Sequence, residues 1–201
     1  KGKGVIKDQR RAASFFELAA RQGNAAAQCQ LGWYYANGFG VPQDHKMAVY
    51  WYSKSAEQGY AQAQNNLGFC YGQGSGVAQD AQKAVEWYMK AAEQGNAYAQ
   101  NNLGHCYETG FGVPQKMDIA VRWYTHAAEQ GCVRAMDSLG VCYEHGKGVP
   151  KNQEVAFHWY SKAAQLHDAN AQNNLGLCYE HGRGTTVHLP QAVMWYRKAA
   201  D

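Results

Sequence analysis

Residues 61–95 read AQAQNNLGFCYGQGSGVAQDAQKAVEWYMKAAEQG, and residues 97–131 read AYAQNNLGHCYETGFGVPQKMDIAVRWYTHAAEQG, the same pattern displaced by 36 positions. Leu67-Gly68 falls on Leu103-Gly104, Tyr71 on Tyr107, and Trp87-Tyr88 on Trp123-Tyr124. Working outward in both directions, Leu-Gly returns at Leu31-Gly32, Leu139-Gly140 and Leu175-Gly176. Trp-Tyr returns at Trp51-Tyr52, Trp159-Tyr160 and Trp195-Tyr196. A fixed period of this length is the signature of stacked supersecondary units.

Within one unit, Ala27, Leu31, Gly32 and Tyr35 share one helical face, as do Ala48, Trp51, Tyr52 and Ala56. The spacing predicts a first helix over about Ala25 to Asn37 ending at Gly38, and a second over about Asp44 to Gln58 ending at Gly59. Pro42, Pro114 and Pro150 fall in the loop between them, where they block continuation of the first helix. No stretch alternates at period two, so no strands are expected. A single hairpin is too small to bury its apolar face, so neighbours are expected to stack into a continuous core. Gly32 and its equivalents are expected to let the two helix backbones approach closely, and Gly104→Leu to overpack that contact by about 1–3 kcal/mol.

These residues resemble the Sel-1-like repeat family, a relative of the tetratricopeptide repeat. The matching pattern is Ala63-x3-Leu67-Gly68-x2-Tyr71-x2-Gly74-x-Gly76-Val77, then Ala84-x2-Trp87-Tyr88-x3-Ala92-x2-Gly95. The resemblance implies an all-α, right-handed superhelix (solenoid) of antiparallel helical hairpins. It covers residues 1–201 as one array: a partial repeat 1–24 and full repeats at 25–60, 61–96, 97–132, 133–168 and 169–201. Departures are local. Ala78 replaces the loop Pro, His167 replaces the capping Gly, and residues 184–187 depart from the loop pattern, so a changed loop shape is expected there. Gly2, Gly4 and Val5 match the loop, and Ala12, Phe15, Phe16, Ala20 and Gly23 match a second helix. The chain thus opens on half a repeat and closes without a polar capping helix, so further repeats of a longer protein are expected.

Composition narrows the function classes. Lys plus Arg number 19 against 16 acids, and a net charge of +3 is too small to imply a nucleic-acid or anionic-membrane partner, even with Lys1, Lys3, Lys7, Arg10 and Arg11 crowded at the start. No apolar run approaches the roughly 20 residues that a membrane-spanning helix needs. Of six cysteines, Cys70, Cys106, Cys142 and Cys178 occupy one position of four successive repeats. Equivalent points on stacked helices lie about 8–10 Å apart, beyond the roughly 7 Å reach of a disulfide, so reduced, buried thiols are expected. With no Asn-x-Ser/Thr acceptor in the chain, a cytoplasmic setting is expected, an endoplasmic-reticulum or secreted one being the alternative.

Two chemical readings compete with a structural one. Cys142 and His145, and again Cys178 and His181, sit one helical turn apart with zinc-ligand chemistry, yet stacking sets the two pairs too far apart to converge. Gly-x-Gly, as in Gly38-Phe39-Gly40 and Gly146-Lys147-Gly148, follows a helix, where a phosphate loop would follow a strand. Secreted relatives have been linked to beta-lactam binding, but Ser-x-x-Lys, Gly-x-Ser-x-Gly and His-Glu-x-x-His are all absent. Trp51 and its equivalents are assigned to core. No catalytic residue, metal ligand or cofactor is assigned, and no enzymatic activity is expected; a secreted or metal-binding repeat protein is the alternative class.

By resemblance to tetratricopeptide repeats, three positions counted from the repeat Leu line a concave groove. The first row is Cys29, Asn65, Asn101, Asp137 and Asn173. The second is Trp33, Phe69, His105, Val141 and Leu177; the third is Ala36, Gly72, Glu108, Glu144 and Glu180. A row of Asn side chains can hold the backbone of an extended peptide, while the second row, which changes from aromatic to aliphatic, would read its side chains. The binding set is therefore Trp33, Asn65, Phe69, Asn101, His105, Glu108, Asp137, Val141, Glu144, Asn173, Leu177 and Glu180. The expected partner is a protein or peptide, of about a dozen residues if extended along units spaced about 10 Å. It would be apolar at one end and carry Lys or Arg towards the other. The implied roles are those of an adaptor in signalling or protein quality-control assemblies.

Overall fold

Each repeat leaves its second helix at a left-handed glycine or its equivalent, and Asn24 and Asp168 cap the first helices that follow them, whereas Tyr60 and Cys132 precede theirs without a side-chain cap. The structure, a computed structural model, describes residues 9–200; the loop expected from Gly2, Gly4 and Val5 lies outside them. The described residues form eleven helices and no strand: α1 (Gln9–Arg21), α2 (Ala25–Asn37), α3 (His45–Glu57), α4 (Ala61–Gln73), α5 (Ala81–Glu93), α6 (Ala97–Thr109), α7 (Met117–Glu129), α8 (Val133–His145), α9 (Gln153–Gln165), α10 (Ala169–His181) and α11 (Leu189–Ala200). Asn24 Oδ1 accepts from Ala27 N at 2.8 Å, and Asp44 Oδ1 accepts from Lys46 N and Met47 N, so the polar residue before each of these helices supplies its cap.

The helices divide into two compact units, one ending at Asn96 and one beginning at Ala97. In the first, α2–α3 and α4–α5 form hairpins, α1 packs on α2, and α3 packs on α4. In the second, α6–α7, α8–α9 and α10–α11 form hairpins, with α7 against α8 and α9 against α10. The core of the second unit runs through all three hairpins, from Ala120 and Tyr124 through Leu139 and Tyr160 to Leu175 and Cys178.

The glycine after the repeat Leu has a specific task. A Cβ built at Gly104 would lie 2.7 Å from the Tyr124 ring and 3.2 Å from the Ala120 carbonyl oxygen; Gly32 meets Tyr52 and Ala48 in the same way. The missing side chain makes room for a tyrosine ring of the partner helix. The second loop glycine is also a contact: a Cβ at Gly148 would lie 2.5 Å from the carbonyl carbon of Met117. The loop of one repeat therefore rests on the first turn of the second helix of the repeat before it, which is why Gly-x-Gly recurs.

The three departures from the repeat pattern leave the backbone unchanged. His167 adopts φ 63, the left-handed position its glycine equivalents occupy. Residues 184–187, where a changed loop was expected, keep the closing hydrogen bond, with His188 N donating to Tyr179 O at 2.8 Å as Asn152 N does to Tyr143 O. Around Ala78, Asp80 N donates to Tyr71 O at 3.0 Å. The loop is held by backbone hydrogen bonds and the positive-φ glycines, so the proline is dispensable.

Buried glutamines tie first to second helices. Gln58 Nε2 donates to Gln28 Oε1, Gln94 Nε2 to Gln64 Oε1 and Gln130 Nε2 to Gln100 Oε1, each at 2.7 Å. In the following repeat both members change together, to Met136 and Leu166. Exchanging a paired amide for apolar groups removes donor and acceptor at once and leaves no orphan.

Two outcomes are expected. Alanine for glycine inside a helix ordinarily stabilises by roughly 0.5–1 kcal/mol, but Gly104→Ala will destabilise by about 1–3 kcal/mol because the methyl has to displace the Tyr124 ring. Chemical denaturation checks the sign. Met136→Gln alone will cost about 1–3 kcal/mol for a buried amide without its partner, and adding Leu166→Gln will recover most of it. A double mutant no better than the single refutes the pairing.

Candidate functional site

The side chains of the three groove rows emerge from the first helices of the repeats, and burial sorts them sharply. In the first row Asn65 and Asn101 are only 8% and 9% exposed, Asp137 is half-buried and Asn173 is exposed. Asp137 Oδ1 accepts from Asn174 Nδ2 at 3.0 Å; burial pushes its carboxyl above the usual range, and the Asn174 bond opposes the shift. The second row faces outward: Trp33 and Phe69 are 42% and 54% exposed, His105 is exposed, and Val141 and Leu177 are half-buried.

The third row is bound to the framework. Tyr124 OH donates to Glu108 Oε2 at 2.6 Å, Tyr160 OH to Glu144 Oε2 at 2.8 Å and Tyr196 OH to Glu180 Oε2 at 2.5 Å. Glu144 also holds Arg183 Nη1 of the next repeat at 2.7 Å. Burial first, and then the glutamate, raise the tyrosine hydroxyls well above their ordinary range, Tyr196 to about 12. The spacing alone did not reveal these bonds, since the same tyrosines recur where Ala36 and Gly72 replace the acid.

Two pockets gather predicted residues, one in each unit. In the first unit a cavity of about 280 Å³ is bordered by Trp33, Phe69, Ala36, Tyr52 and Asn66, with His45 and Ser75 at its edge. Its walls are mainly aromatic and aliphatic. In the second unit a cavity of about 260 Å³ brings Asn101, His105 and Asp137 together with Arg134, Ser138 and Asp168. Its lining is polar and includes two carboxylates, Asp137 and Asp168, and one guanidinium, Arg134. Arg134, Asp168 and Asn66 were missed from sequence because they lie outside the three rows counted from the repeat Leu.

The tryptophans assigned to core divide. Trp51 is buried, and its indole N–H has no hydrogen-bond partner among the described residues. Trp87, Trp159 and Trp195 are half-buried beneath Lys90, Lys162 and Lys198, whose ammonium groups stand 4.2, 4.8 and 4.3 Å from the ring centroids. A lysine one turn later lays its stem over the ring and its charge on the π face, so these rings need only one side buried.

All six thiols are free and buried. Cys142 and Cys178 point into the core while His145 and His181 are exposed, so neither pair shares a face. Among the described residues no three His, Cys, Asp or Glu side chains gather closely enough to hold a metal ion, and no helix is long and apolar enough to cross a membrane.

Comparison with known proteins adds a family and a set of structures. The family model described as Sel1 repeat matches residues 1–24, 25–60, 61–96, 97–132, 133–168 and 169–201. Among solved structures, a protective antigen with an SLR fold from uropathogenic Escherichia coli is 40% identical with a TM-score of 0.89, over 99% of this chain and 43% of that one. The chain therefore spans less than half the length of that antigen. A Sel1 repeat protein from Oxalobacter formigenes is 36% identical with a TM-score of 0.83, covering 94% of this chain and 81% of that one. Helicobacter pylori cysteine rich protein B is 27% identical with a TM-score of 0.51, over 64% of this chain and 92% of that one. Among curated proteins the sequence comparison found no match.

The buried thiols yield a pH dependence. Burial raises Cys29, Cys70, Cys106, Cys142 and Cys178 from 9.0 to about 11. The folded value lies above the unfolded one, so the stability these groups contribute is complete below pH 9 or so and is lost as the pH rises through about 11. A thiol-labelling reagent at about pH 8 is expected to react slowly with the folded chain and rapidly after denaturant is added. Fast labelling of these five in the folded chain contradicts the burial.

Proposed function

The chain belongs to the Sel1 repeat family, and we propose that it is a protein-interaction scaffold that binds a partner peptide or protein on the face bearing the exposed second row. The observation that carries this reading is the pair of pockets. Trp33 and Phe69 stay largely exposed beside one, and Asn101, His105 and Asp137 converge on the other. Large apolar side chains left exposed next to a cavity are what a recognition surface needs, because covering them on binding recovers the hydrophobic free energy that folding left unused.

The two units offer different chemistry. A side chain with an apolar stem and a polar end fits the aromatic pocket of the first, and a Lys or Arg fits the second, where Asp137 and Asp168 outnumber Arg134. The glutamates contribute less than their number suggests, because Glu108, Glu144 and Glu180 already accept tyrosine hydroxyls. In the second unit Val141, Asn173 and Leu177 add to the candidate residues, while in the first unit Asn65 acts from a buried position. A cytoplasmic adaptor role in signalling or quality-control assemblies is the setting we favour.

Pull-down from a lysate with mass-spectrometric readout tests this reading, using the wild-type chain, a Trp33→Ala/Phe69→Ala variant and an Asp137→Asn variant, each verified as folded by circular dichroism. Proteins retained by the wild type will be lost at least about tenfold on removing the two exposed aromatics, and Asp137→Asn will weaken retention and reduce its sensitivity to salt. Retention unchanged in both variants would sink the proposal.

A further inference from the structure

We infer that the first-unit pocket is a receptor for a partner's glutamate side chain, in which the incoming carboxylate takes the place of an acid that this chain supplies to itself in its later repeats. The inference rests on the reading of this face as the binding face and adds the chemistry of what enters it.

The repeats themselves provide the comparison. At Glu144 the arrangement is complete: Tyr160 OH donates to one carboxylate oxygen at 2.8 Å and Arg183 Nη1 of the next repeat to the other at 2.7 Å. Displaced by three periods, Glu144 becomes Ala36, Tyr160 becomes Tyr52 and Arg183 becomes Ser75. All three residues border the 280 Å³ cavity. Acid and base have both been reduced to small side chains while the tyrosine remains, so the pocket lies where the carboxylate would otherwise sit.

The hydroxyl of Tyr52 is set up for an acceptor. Asn66, at the position of Ser138 beside Tyr124, opposes the upward shift that burial imposes on the Tyr52 hydroxyl, as Ser138 does for Tyr124, and it borders the cavity with Tyr52. Tyr124 OH donates its hydrogen bond to Glu108 at 2.6 Å; at Tyr52 the residue equivalent to that acceptor is Ala36. Ser75 and His45 also border the cavity, a hydroxyl and an imidazole able to hydrogen-bond a carboxylate. Trp33 and Phe69 at the rim suit the two methylenes of a glutamate stem, so the walls take the apolar part of the side chain and the Tyr52 hydroxyl its charge. A purely aliphatic residue would leave the hydroxyl without its acceptor, and an aspartate is one methylene shorter than the acid used in the later repeats.

The test is an NMR titration of the full 201-residue chain, following the Trp33 indole N–H. The probes are N-acetyl-glutamate amide and N-acetyl-norvaline amide, the same stem without the carboxylate, both at millimolar concentration. Glutamate is expected to shift the signal saturably and norvaline to bind about tenfold more weakly, the value of a hydrogen bond to a charged group. Ala36→Glu restores the internal acid in a form three other repeats already tolerate, so it will fold, and it will abolish the glutamate response. Tyr52→Phe will weaken it about tenfold. Equal binding of the two probes, or an Ala36→Glu variant that still binds glutamate, overturns the carboxylate assignment while leaving the apolar face as a binding surface. No shift from either probe overturns the pocket as a receptor, and the pull-down with Trp33→Ala/Phe69→Ala still decides separately whether the face binds a partner.

Discussion

In each full repeat a tyrosine ring lies against a helical glycine: Tyr52 on Gly32, Tyr88 on Gly68, Tyr124 on Gly104, Tyr160 on Gly140 and Tyr196 on Gly176. Without a Cβ on the first helix the ring can lie on bare backbone, and the hairpin closes around it. The contact sets how near the two helices come and keeps the ring in one orientation, because a flat group wedged against backbone has few alternatives. It also fixes where the hydroxyl emerges, next to the third-row position on the first helix. The polar chemistry of the face is thus determined by a packing contact in the core.

That constraint explains why the fold was legible from spacing while the energetics of the face were not. Helix ends were readable because caps and left-handed glycines are local: Asn24, Asp44 and Gly38 do their work within a few residues. The loop departures at Ala78, at His167 and at residues 184–187 looked larger in sequence than they are in space, since backbone hydrogen bonds carry the loop. Burial of the first row was not readable. Counting from the repeat Leu gives the direction of a side chain, but not how much of it packing covers, and so Asn65 and Asn101 read as a peptide-holding row although both are buried.

Other relations were present in the sequence but needed a different comparison. The Gln28–Gln58 kind of pair announces itself only where both members change, at Met136 and Leu166. The glutamate–tyrosine pairs are harder to see because the tyrosine is constant and only the acid varies, so no covariation marks them. Arg134 and Asp168 border the second-unit pocket from outside the three rows, and a face defined by one helix cannot list what loops and neighbouring repeats bring to it.

A scaffold that keeps its backbone constant changes its surface chemistry by changing what meets a fixed group. Here the fixed group is the tyrosine hydroxyl. Where a glutamate meets it, as in the repeats of Glu108, Glu144 and Glu180, the donor is satisfied internally and the acid is withdrawn from any partner, in one case further neutralised by Arg183. Where alanine stands in its place, the same hydroxyl borders a cavity flanked by exposed Trp33 and Phe69. The acidic half of the chain therefore presents a weaker negative face than its residue count suggests, with Asp137 and Asp168 carrying what remains. The first unit, with no acid in its groove rows, holds the stronger demand for one. Counting charges along the groove rows gets both ends partly wrong, because the count omits which charges the repeat has already used on itself.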